Sequence, residues 1–142
     1  MGSIWGVTPR ESIEAECRRR GRTSVVDGCL RLLQSGSADA ELLLALAGPG
    51  GQKFLDGDEH EDTYWLRVWA LRGLLWAWDD AGTVAVTTAV DDEHWRVREM
   101  ALKVVARHRV DAALEPAAAR REDPVERVRL AAARALVRLT AG

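Results

Sequence analysis

The sequence predicts an all-α chain, a solenoid of stacked helix pairs, and three observations carry the prediction. First, residues 91–108, DDEHWRVREMALKVVARH, are rewritten 31 residues later as EDPVERVRLAAARALVRL. Second, offsets of 31 place Leu66, Val97 and Val128 in register, then Ala70, Ala101 and Ala132, then Leu74, Val105 and Leu136. Positions four apart share one helical face, and the small central residue lets a neighbouring helix come close. Third, no segment alternates with period two, and the only strand-like run, Val84 to Thr88, falls where the repeat demands a helix. A fixed period of this length marks repeats that bury their apolar faces only by stacking.

The elements follow in order. Thr8-Pro9-Arg10-Glu11 is a capping box with proline at the first helical position, so a helix starts there and stops at Gly21. A second spans 23–34, with Val26, Cys29, Leu30 and Leu33 on one face, and a third spans 39–47 before Gly48-Pro49. GPGGQKFLDGDEHED is then the longest connection, read as a flexible linker, and it lacks the spacing of a phosphate-binding loop. Helices are expected over 64–78, 82–90, 95–108, 112–121 and 125–140.

With 142 residues the chain has the length of one ordinary domain, and it is read as one, 1–142. Its net charge of −2 hides an asymmetry: residues 1–93 carry nine basic and sixteen acidic side chains, residues 94–142 eleven and six. The basic C-terminal part would attract an anionic partner, although salt screens exposed charges beyond about 10 Å. Eighteen of the twenty basic residues are Arg, which partly reflects GC-rich coding. Cys17 and Cys29 sit in helical patterns outside any ligand cluster and read as small buried hydrophobes. The sequence shows no signal-peptide core and no apolar run of membrane-spanning length, so a cytoplasmic location is expected.

Five residues before each Leu or Val of the first register stands an acid, Glu61, Asp92 or Asp123, and directly after it an arginine, Arg67, Arg98 or Arg129. An acid, four residues, Val-Arg, and Ala four positions after the Val resembles the second helix of HEAT-like repeats, particularly the short type in phycobilisome-lyase-related proteins. The likeness covers 61–142 most fully, 39–60 in part, and 8–38 only as a helix pair. It implies a right-handed superhelix of four repeats, near 8–34, 39–78, 82–108 and 112–140, whose second helices line the concave side. It also implies that Glu61, Asp92 and Asp123 pair with Arg67, Arg98 and Arg129 as a structural ladder between repeats.

Beside the core stripe, rotated by about 100°, lie Trp65, Trp69, Arg72 and Trp76. The matching positions are Arg96, Met100, Lys103 and Arg107, then Arg127, Ala131, Arg134 and Arg138. One aromatic and two basic rows would form a groove for an acidic protein segment, with tryptophans as anchors and guanidinium groups as donors. The same surface suits nucleic acid, which is the alternative reading. A third stays open: Trp69 and Trp76 pack beneath the segment carrying Trp5, and the arginines are a solvated face.

Catalysis is not expected. HEAT-like DNA glycosylases share a basic, aromatic groove, but here Glu99 is the nearest acid to the stripe and no second catalytic group stands beside it. The pairs His60-Glu61 and Glu93-His94 resemble those of HEAT-like di-iron hydroxylases, yet they are out of register and in opposite order. Neither metal nor cofactor is therefore expected. The loop 48–62, through Lys53, Phe54, Asp56, Asp58 and Glu59, is a candidate gate over one edge of the groove.

Overall fold

Thr8 starts the first helix as its sequence requires: its hydroxyl accepts from the Glu11 N–H at 3.1 Å, and the Glu11 carboxylate accepts from the Thr8 N–H at 3.0 Å. In this computed structural model residues 6–56 and 60–141 are described, and Trp5, Asp58 and Glu59 lie outside them. Among the described residues every regular element is helical and no strand occurs. The α-helices are α1 (Pro9–Arg20), α2 (Arg22–Ser35), α3 (Ala40–Ala47), α4 (Tyr64–Trp76), α5 (Thr83–Ala89), α6 (Trp95–His108), α7 (Leu114–Ala119) and α8 (Glu126–Thr140). No helix among the described residues is long and apolar enough to cross a membrane. The chain divides into two compact units, Met1–Asp79 and Asp80–Gly142.

In the first unit α2 and α3 pack against α4 and against α1, burying Ile13, Val26, Cys29, Leu42, Leu46 and Leu74 completely. The α2–α4 crossing is close because Gly73 permits it, and Gly28 likewise leaves room for Leu42 of α3. A Cβ on Gly73 would overlap Cys29 Sγ and stand 2.7 Å from Leu46 Cδ2, and one on Gly28 would overlap Leu42 Cδ2. Burial pushes the Cys29 thiol up to about 12, and burial also raises the half-buried Cys17. Asp39 caps α3 by accepting from the Leu42 N–H at 2.8 Å, while Arg20 reaches it from α1 at 2.8 and 2.9 Å. The buried Glu16 is held by Arg19 and Arg20.

The connector beginning at Gly48 is not a loose linker, as its glycine content suggested. Residues Gly48–Leu55 form a 3-10 helix against α3, with Gly51 buried where a Cβ would come within 3.0 Å of Ala47 Cβ.

In the second unit α6 lies along α8, with α5 against α6 and α7 against α8. Val97, Ala101, Val105, Val128, Ala132 and Ala135 are fully buried. The local geometry repeats with the sequence. Asp92 accepts from the His94 N–H at 2.9 Å, and Asp123 accepts from the Val125 N–H at 2.9 Å. Arg98 donates to the Asp92 carbonyl at 2.9 Å, and Arg129 to the Asp123 carbonyl at 2.8 Å.

Each acid therefore opens the turn before its helix, and the arginine six residues on ties that turn down through the main chain. Across α6 and α8, Arg98 also reaches the Asp123 carboxylate at 2.8 and 3.1 Å. Glu61 is exposed and makes no ion pair with a described residue, unlike Asp123.

Two helices are shorter than their pattern. The expected 112–121 helix begins only at Leu114, preceded by a 3-10 turn at Asp111–Ala113 and followed by another at Arg120–Glu122. Pro116 explains the start: with no N–H it fits the third position of a helix, whereas a helix begun at Ala112 would ask it to donate to the Ala112 carbonyl. α4 ends at Trp76 because Ala77 turns to an extended φ of −134°.

Candidate interaction surfaces

The eleven candidate side chains divide between the units: Trp65, Trp69, Arg72 and Trp76 belong to α4, the others to α6 and α8.

On α4 the aromatic row is largely occupied by the unit's own residues. Trp65 is half-buried and stacks on Trp69 with centroids 6.1 Å apart. Trp69 is not a surface anchor. It is 7% exposed, and Phe54 of the 3-10 connector sets its edge on it at 5.5 Å. His60 in turn meets Phe54 at 4.9 Å and bonds to Asp56 at 3.2 Å, while Lys53 pairs with Asp62 at 2.6 Å. The connector thus covers the middle of the row. Trp76 lies under the Arg10 guanidinium at 4.7 Å. Arg72 is half-buried and donates to the Leu46 carbonyl at 3.2 Å, a cation at the C-terminal end of α3, and burial pushes its pKa down.

On α6 and α8 the basic rows are more open. Arg96 and Met100 are half-buried, while Lys103, Arg107, Arg127, Arg134 and Arg138 are exposed; Ala131 is buried between the helices. Arg127 pairs with Glu99 at 2.9 Å, and Arg138 donates to the Ala106 carbonyl at 3.3 Å. Lys103 and Arg134 occupy equivalent positions one period apart, and neither has a carboxylate partner among the described residues. Glu99 is a partner of Arg127 rather than an isolated acid.

Sequence reasoning passed over Trp95. Its half-buried ring carries the Arg96 guanidinium at 4.5 Å and the Arg127 guanidinium at 5.2 Å, with the His94 ring at 6.2 Å. Trp95 opens α6 and sits off the row of Arg96, Met100, Lys103 and Arg107, so helical spacing did not select it. Its neighbour His94 caps α6, its ring nitrogen accepting from the Arg96 N–H at 3.1 Å. Among the described residues no three ligating side chains converge on a possible metal position.

Comparisons with protein-family models, with curated proteins and with solved structures return no match.

Proposed function

We propose that the chain is a non-enzymatic interaction module of HEAT-like helix pairs that holds an acidic protein segment on the basic face of α6 and α8. The observation that carries this reading is Lys103 and Arg134, two exposed cations one period apart on packed helices, without carboxylate partners among the described residues. Arg107 and Arg138 extend the rows. At one end Trp95 holds the Arg96 and Arg127 guanidinium groups over its ring, which limits the side-chain freedom that binding would remove.

The solenoid reading is supported by the recurrence of the acid-turn and arginine-carbonyl bonds at 31-residue spacing.

The second reading, nucleic acid on the same face, is favoured by the same free cations with an aromatic ring at their edge. Fluorescence anisotropy with a labelled oligoglutamate peptide and with labelled single-stranded and duplex DNA and RNA separates the two. A peptide affinity reduced about tenfold in a Lys103→Ala/Arg134→Ala variant supports the first reading. Nucleic-acid binding that falls by orders of magnitude as salt rises a few-fold would replace it with the second. Failure of every probe at low salt, or binding indifferent to the variant, overturns both.

A further inference from the structure

α6 holds α8 along one flank. Arg98 takes Asp123, Glu99 takes Arg127, and the Ala106 carbonyl accepts from Arg138. One period later the same flank of α8 is Arg129, Leu130 and Val137, with Ala133 where α6 has Leu102. Nothing among the described residues covers it: Leu130 is 49% and Val137 67% exposed. Leu130 stands where α6 has Glu99 and Val137 where it has Ala106, while Glu126 stands where it has Trp95, so two exposed apolar side chains lie on this flank beside an acid. Arg129 bonds to the Asp123 carbonyl just as Arg98 bonds to Asp92, but it has no carboxylate partner among the described residues.

We propose that this flank of α8 is a docking face for a helix of another protein, entered behind an aspartate or glutamate whose carboxylate Arg129 takes as Arg98 takes Asp123. The equivalent flank of α6 shows what the seat accepts: a helix with a stripe of small and branched residues, Val128, Ala131 and Ala135, begun behind an acid. A second copy does not offer this helix, because its own Asp123 is held by Arg98 and its Val128, Ala131 and Ala135 are already buried. The face lies about a quarter-turn round α8 from Arg127, Arg134 and Arg138, so it is separate from the basic surface.

The test uses the chain's own last helix pair as the probe. Residues 112–141 are appended directly after Gly142, which continues the 31-residue period and puts the copied Asp123 25 residues beyond Arg129, the separation of Arg98 from Asp123. Docking makes the added segment helical by circular dichroism and raises Tm by about 5 °C or more. Arg129→Ala, or Asp123→Asn in the copied segment alone, removes most of that gain, and Val137→Glu removes all of it. Val137→Glu in the unextended chain leaves Tm unchanged, which separates lost docking from misfolding.

An appended segment that stays unstructured overturns the proposal, as does a gain that survives Arg129→Ala. Sedimentation showing an unextended dimer dissolved by Val137→Glu also overturns it, by naming a second copy as the occupant.

Discussion

Arg98 grips Asp123 with two parallel hydrogen bonds, Nε to Oδ2 at 2.8 Å and Nη2 to Oδ1 at 3.1 Å, and the residues are only 8% and 2% exposed. The same carboxylate caps the turn before α8 and receives Arg120 at 3.2 Å. Arg98→Ala leaves that carboxylate short of its closest cation in a dry setting and is expected to cost about 3 kcal/mol in urea unfolding. Arg98→Lys recovers only part, because an ammonium group cannot supply both bonds. Equal stability of Arg98→Ala and wild type would show that the pair contributes nothing.

Acid should weaken the fold through two carboxylates. Arg20, and then the Leu42 N–H, hold the Asp39 pKa well below the usual carboxylate range. At Asp123 burial pushes upward, but Arg98, the Val125 N–H and Arg120 outweigh it and the net direction is down. A folded pKa below the unfolded one means stability that is present above about pH 4 and is lost as pH falls through the folded value. Urea midpoints measured from pH 6 to pH 2.5 should therefore drop below about pH 4, with a shallower drop in Asp39→Asn.

Gly73→Ala should be costly. Its Cβ would overlap Cys29 Sγ and press on Leu46 at 2.7 Å, and overpacking of this kind typically costs about 1–3 kcal/mol. Cys29→Ala in the same chain removes the sulfur and should restore part of the loss, a coupling that a double-mutant cycle measures. Additive losses would mean that Leu46, not Cys29, sets the limit.

Phe54→Ala uncovers the Trp69 ring. Loss of an edge-to-face partner is worth about 1 kcal/mol, and acrylamide should quench the variant's tryptophan emission more strongly than that of wild type. Unchanged quenching would show that the connector does not shield the ring.

Features set by near neighbours in sequence were the legible ones. The Thr8–Glu11 box, the stop of α3 at Gly48 and the full span of α6 follow from residues within a turn of each other. The 31-residue period located the buried stripe as well, since Val97, Ala101, Val128 and Ala132 are all fully buried. The aromatic row of α4 was misjudged because its cover comes from elsewhere in the chain. Helical spacing cannot show that Phe54, fifteen residues earlier, closes on Trp69. Trp95 escaped for a related reason: its importance lies in Arg127, contributed by α8, rather than in its own register. The late start of α7 was within reach, because Pro116 cannot donate as a helix begun at Ala112 would require.

The glycine crossing of α2 and α4 also gives the first unit a chemical clock. Cys29 is sealed beneath Gly73 with its thiol held protonated, while Cys17 is partly open to solvent. An alkylating dye should mark Cys17 promptly in the native protein and reach Cys29 only when the two helices part. The delay between first and second label then times the opening of that crossing, with no fluorophore or probe engineered into the chain.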